Sequence, residues 1–183
     1  MAKKALMVWG GWDGHEPKQC VERFAPFLKA QGFEVTITDQ LDVYKDKALM
    51  DSLSLIVPCV TMSQIDGDQE RGLLEAVKSG VGLAGWHGGM GDSFRSNTEY
   101  QFMVGGQFIC HPGNIIPFKV HVTNWDDPIM HGIQDFTITS EQYYMHVDPS
   151  NVVLANTTFS DQYVSWVDGT VMPVVWKLSL IHI

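Results

Sequence analysis

The sequence is poor in basic residues, cysteines and long apolar runs, and each shortage excludes a class of protein. Lysine and arginine number 12 against 21 aspartates and glutamates, a net charge of −9 at pH 7. A surface that acidic repels phosphates, so nucleic acid is not an expected partner. Only three cysteines occur, Cys20, Cys59 and Cys110, with no Cys-x-x-Cys spacing. An odd, scattered set excludes a disulfide scaffold or zinc ribbon and points to reduced thiols in a cytoplasmic protein. The apolar stretch Ala5–Trp9 is too short for a signal-peptide core. No run approaches the roughly 20 apolar residues that span a bilayer, so no membrane association is expected. Disorder is excluded as well, because hydrophobic residues make up 45% and charged residues only 18%. A chain of 183 residues suits one domain with a real core.

What is present reads as alternating strands and helices. Ala5–Trp9 stops at Gly10-Gly11, the pattern of a buried parallel strand running into a loop. Pro17 suits the first turn of a helix; Val21, Phe24 and Leu28 recur at helical spacing, and Gly32 ends it. Pro26 inside that helix predicts a bend. Phe33–Thr38 and Leu53–Val57 read as second and third strands, and Val81–Trp86 as a fourth. Between the last two, Asp66 and Gln69 have the spacing of a capping box. These units predict a parallel sheet with helices on both faces. Thr98 can cap a short helix through Val104, and beyond Pro112-Gly113 the periodicity turns strand-like at 118–123, 136–139, 152–158 and 171–176. Those later strands are expected to extend or decorate the sheet.

Ligands in open parallel sheets bind beyond the carboxyl ends of the strands. That filter selects the first loop, where Asp13 and His15 follow two glycines, and the end of the fourth strand at Trp86-His87-Gly88-Gly89, with Arg95 downstream. The turn at His87 carries no Ser or Cys, so a nucleophile-elbow mechanism is disfavoured, and His87 reads as a general acid or base, or as a ligand of a metal or of sugar hydroxyls. The segment Ser140–Pro149 concentrates Glu141, Tyr143 and His146, a mixture suited to stacking on sugar rings and bonding their hydroxyls. Cys110 beside His111 is read as a small buried hydrophobe, with His111 kept as a further site candidate. A divalent metal on Asp13, His15, His87, Glu141 and His146 is chemically reasonable, but their spacing is no signature.

Four motifs in order carry a family resemblance: Trp9–His15, Gly85–Gly89, Asn97–Gln107 and Ser140–Pro149. Together they resemble ThuA-like (trehalose-utilisation) proteins from about residue 4 to 177. The resemblance implies an α/β, flavodoxin-like three-layer sandwich of the class I glutamine amidotransferase-like fold with a mostly parallel sheet. It also implies utilisation of trehalose and related disaccharides through keto-sugar intermediates. Amidotransferase activity is not implied, because the elbow carries Trp86-His87 in place of cysteine.

The expected function is therefore an enzyme acting on a disaccharide or keto-sugar. Catalysis is assigned to His87, Glu141 and His146, and substrate binding to Asp13, His15, Trp86, Arg95 and Tyr143. The alternative is a non-catalytic sugar-binding or regulatory module. The expected partner is a small-molecule sugar, with homo-oligomerisation left open. Family pattern would continue past Lys177 with a basic turn, a strand ending near Gly-His and a helix, but the chain reads Leu178-Ser179-Leu180-Ile181-His182-Ile183. The expectation is a truncated ThuA-like domain over 1–177 followed by a non-native tail at 178–183.

Overall fold

The computed structural model describes residues 3–179. Its contacts group into two compact units, divided between Val104 and Gly105. The tail assigned at 178–183 has no regular structure at Leu178 and Ser179 and otherwise lies outside the described residues. No helix among the described residues is long and apolar enough to cross a membrane.

The first unit is the predicted parallel sheet. Its strands are β1 (Lys3–Gly11), β2 (Phe33–Thr38), β3 (Leu55–Thr61) and β4 (Gly82–Leu83), in the order β2-β1-β3-β4. Helix α1 (Pro17–Ala30) runs through Pro26, which is exposed. A short α2 (Lys47–Ser52) precedes β3 and is capped by Asp46, which accepts from the Leu49 N–H at 3.0 Å. Helix α3 (Gly67–Lys78) follows β3; both bonds of its capping box, between Asp66 and Gln69, are made. Alternation along β1 sends Leu6 and Val8 to one core and Met7 to another. The first core takes Leu73, Ala76 and Val77 from α3, and the second takes Val21 and Ala25 from α1. The parallel sheet is thus covered on both faces, as expected of βαβ units.

Two strand predictions shift. The third strand runs to Thr61, past the predicted end at Val57, because Pro58 holds a place in the ladder opposite Val8 and Cys59, Val60 and Thr61 are buried behind it. The fourth is only two residues long, against a prediction of 81–86. Ala84 still donates to the Ile56 carbonyl at 3.0 Å. The chain then leaves the ladder at Gly85, where an added Cβ would lie 2.7 Å from that of Met90. A four-residue α4 (Gly88–Gly91) and α5 (Thr98–Val104) complete the unit.

The second unit is antiparallel, so of the two expected outcomes, extending or decorating the sheet, its strands do not extend the parallel sheet. Strands β5 (Gly106–Cys110) and β8 (Tyr144–Val147) form a two-stranded sheet. Strands β6 (Ile115–Val122), β7 (Phe136–Glu141), β9 (Val152–Thr158) and β10 (Val171–Lys177) form a four-stranded one, ordered β10-β9-β6-β7. Parallel neighbours need crossover helices, and the connections here hold only single 3-10 turns at Pro128–Met130 and Ser165–Val167. The interior carries a polar chain: Gln142 Nε2 donates to Thr157 Oγ1 at 2.8 Å, and that hydroxyl donates to the Lys119 carbonyl at 2.8 Å.

Candidate functional site

Backbone strain in the first unit collects where strands end. Three non-glycine residues there have positive φ: Glu16 (48°) after β1, Met62 (50°) after β3 and His87 (51°) after β4. Such conformations cost about 1–3 kcal/mol each and persist where the surroundings over-determine them. Gly11, with φ of 80°, lets β1 pass β3: a Cβ on it would lie 1.8 Å from the Thr61 carbonyl oxygen. The Trp12 N–H then donates to that same oxygen at 2.9 Å.

This backbone delivers two imidazoles to one place. His15 ends the single 3-10 turn Asp13–His15, and its Nδ1 lies 3.0 Å from Oγ1 of Thr61, a fully buried residue closing β3. His87 precedes α4 with an exposed side chain, and its ring meets His15 edge-on, centroids 4.7 Å apart at 73°. Ring nitrogens of the two lie within 4.8 Å of each other. Trp12 borders His15 on another side, also edge-on, at 4.8 Å. Gly88 makes the approach possible, since a Cβ there would sit 2.6 Å from His15 Cε1 and 2.7 Å from Nδ1. Thr61 escaped sequence reading because the third strand was ended four residues early; a buried threonine closing a hydrophobic strand was the available signal.

The other predicted residues of this unit divide. Asp13 is exposed, and its carbonyl accepts from the Glu16 N–H at 2.9 Å. Trp86 turns toward α1, its ring 4.5 Å from that of Phe24, and packs on the core around Met7 and Cys59. Arg95 makes a two-pronged ion pair with the buried carboxylate of Asp92, Nε–Oδ1 2.6 Å and Nη2–Oδ2 2.8 Å. That fork fixes the guanidinium and neutralises a charge that burial would otherwise penalise.

In the second unit Glu141 closes β7 and Tyr143 lies in the break before β8, so the two do not share one strand. Glu141 Oε1 stands 3.6 Å from His111 Nε2. Tyr143 packs at 4.5 Å on Phe108, and His111 stacks near-parallel to it at 6.2 Å. His111 Nδ1 is buried without a hydrogen-bond partner among the described residues. His146 is exposed on β8, opposite Gln107 of β5. The expected site residues Glu141 and Tyr143 and the further candidate His111 do come together, because antiparallel pairing of β6 with β7 brings the turn before Ile115 to the end at Glu141.

Neither Cys59 nor Cys110 is an activated thiol. Burial pushes the Cys59 thiol up to about 12; Cys110, expected to be buried, is exposed, and partial desolvation raises its thiol. Thiolate nucleophiles need the opposite shift.

Comparison with known proteins places this architecture. The model of the ThuA family, described as trehalose utilisation, matches residues 4–181. A ThuA-like protein from Bacteroides uniformis ATCC 8492 superposes with a TM-score of 0.80 at 18% identity, over 97% of this chain and 78% of that one. One from Parabacteroides merdae ATCC 43184 gives 0.74 at 14% identity, over 97% and 75%. At such identities the likeness speaks for the fold. Among curated protein sequences none matches. With the family model spanning nearly the whole sequence, the chain belongs to the ThuA, trehalose-utilisation family.

Proposed function

We propose that this protein is an enzyme of carbohydrate metabolism acting on a disaccharide or a keto-sugar derived from one. The observation that carries the reading is the His15–His87 pair, built where β1, β3 and β4 end. Three features support a reacting centre over a structural histidine. His87 is exposed and sits at a strained φ, His15 is oriented by a buried hydroxyl, and Gly88 leaves the space both need. Polar residues gathered beyond the carboxyl ends of parallel strands are where α/β enzymes keep their sites. Membership in a family described as trehalose utilisation supports this choice of substrate class. We read the parallel sheet, with helices on both faces, as the core of a flavodoxin-like, class I glutamine amidotransferase-like sandwich. The turn after β4 carries Trp86-His87 in place of a cysteine, and the thiols of Cys59 and Cys110 are shifted away from thiolate, which argues against amidotransferase chemistry. The second unit offers carbohydrate-type recognition of its own in Tyr143, Phe108 and Glu141, an aromatic face beside a carboxylate.

The test is thermal unfolding against trehalose, sucrose, maltose and their keto derivatives, with product analysis on each sugar that shifts the transition. The expected result is a shift together with a changed sugar, and loss of turnover in a folded His87→Ala variant. Full turnover in that variant would remove the imidazole pair from the chemistry. A shift with the sugar recovered unchanged would make the protein a binding or regulatory module.

A further inference from the structure

We infer that His15 and His87 together bind a divalent first-row transition ion of the zinc, cobalt and nickel group. The inference rests on the reading of this pair as the reacting centre, and it names what the pair holds there. Imidazole nitrogen is the preferred protein donor for these ions, whereas calcium and magnesium take oxygen. Ring nitrogens of the two residues already lie within 4.8 Å of each other. Two nitrogens on a tetrahedral ion, each at about 2.0–2.1 Å, stand roughly 3.3 Å apart. Binding therefore requires the exposed His87 ring to turn toward His15.

One tautomer of His15 presents a ring nitrogen suited to this role. When Nδ1–H donates to Thr61 Oγ1, 3.0 Å away, Nε2 carries the lone pair. A metal-binding histidine commonly donates its second N–H to such a partner, which fixes both tautomer and ring plane. Thr61 is fully buried at the end of β3, and Gly88 presses against the same imidazole, so the ring is held from two sides. His15 is thus a preset ligand and His87 an adjustable one. Two histidines leave coordination positions for oxygen ligands, and adjacent oxygens of a sugar, as in a diol or an α-hydroxyketone, suit them. Bound in that way, the ion would polarise a carbonyl or acidify a coordinated water.

The experiment is a Co2+ titration of chelator-treated protein, followed by visible absorption and calorimetry, so that the readout is independent of any sugar. One equivalent is expected to bind with d–d bands of a nitrogen-ligated ion. Binding should be lost in both His15→Ala and His87→Ala and retained in His131→Ala, which removes an exposed histidine of the second unit. Thr61→Val keeps the volume and removes the orienting hydroxyl; it should weaken binding by about 10–100-fold. Absence of a stoichiometric site, or binding that survives in either pair variant, would overturn the inference. Turnover that persists under chelator but disappears in His87→Ala would overturn it while leaving the enzyme reading intact. Stoichiometric binding without turnover of any sugar would uphold the metal site and remove the enzyme reading.

Discussion

The two units hold polar side chains in different ways. In the first, every strand runs the same way, so loops far apart in sequence emerge at one end of the sheet, and Thr61 and His87 reach His15 from separate crossovers. Of these residues His87 is itself strained, Glu16 and Met62 carry strain next to His15 and Thr61, and Gly11 and Gly88 supply the close passages. In the second unit, antiparallel pairing sets the start of one strand beside the end of its neighbour. Glu141, at the end of β7, therefore meets His111 of the turn before β6. Strain is scarcer there, with Asn114 alone among its described non-glycine residues at positive φ. Parallel topology makes the first site dependent on close backbone passage, while the second depends on side-chain packing and a buried polar chain.

The largest test of that difference is Gly11→Ala. The new Cβ would fall 1.8 Å from a backbone oxygen at φ of 80°, and relief of the clash would break the last rung of the β1–β3 ladder. We expect destabilisation of about 3–5 kcal/mol, the upper end for a single substitution, from strain at a special φ together with the backbone clash. Gly132→Ala in the second unit is the control, with a similar φ of 83° and nothing within 4 Å of the added atom. It should cost only about 1–2 kcal/mol, the left-handed penalty alone. Urea unfolding of the two variants measures both. Equal losses would mean that close strand passage is not what the first unit depends on.

Next in size is Thr157→Val, which keeps the volume and deletes the hydroxyl between Gln142 and the Lys119 carbonyl. Gln142 is buried, so its amide would lose an acceptor with no ready access to water. Denaturant unfolding should register a loss of about 1–3 kcal/mol. A double variant replacing Gln142 by leucine as well should recover part of that loss, because no buried donor then goes unmet. A neutral single variant would show that water already serves this chain.

His87→Gly has the opposite sign. Glycine accepts φ of 51° and ψ of −146° without the penalty a side chain incurs. Relief of strain is offset by the greater entropy glycine loses on folding, leaving a net gain of up to about 1 kcal/mol. Stability should rise while turnover and Co2+ binding fall. A variant that loses stability would mean that the imidazole is held for packing, and would weaken the contrast between a strained first unit and a relaxed second one.

The sequence made the parallel half legible because its signals were local. The capping box at Asp66, the proline opening α1 and the helix at Thr98–Val104 all lie where spacing put them. Strand direction in the second half was not legible. It depends on which connections contain a crossover helix, and strand-like periodicity is the same for either direction. Within the site, glycine-flanked histidines after strands pointed to His15 and His87. Thr61 did not stand out, because Pro58 reads as a strand breaker although it is a ladder residue here. Trp86 has a tight-turn neighbourhood in sequence, yet its ring belongs to the α1 side, a matter of side-chain direction that spacing does not carry.

The smallest effect expected is a pH dependence confined to the second unit. Lys177, as the main cause, and the Ile129 N–H hold the Asp127 carboxyl below its usual range. A carboxyl with a lowered folded-state value contributes stability that is fully present above its unfolded value, about 3.9, and is lost as pH falls through the folded one. Asp127→Asn removes that contribution and leaves an oxygen to accept from the Ile129 N–H. Wild type should therefore be more stable than the variant by a constant margin between about pH 5 and 8, and the margin should shrink below about pH 4. Lys177 is half exposed, so solvent and salt screen the pair and keep the margin small. Urea midpoints of both proteins across that range would decide it. A margin that widened on acidification would reverse the sign, and Asp127 would then owe its burial to the cap on the 3-10 turn at Pro128–Met130 and not to its lysine.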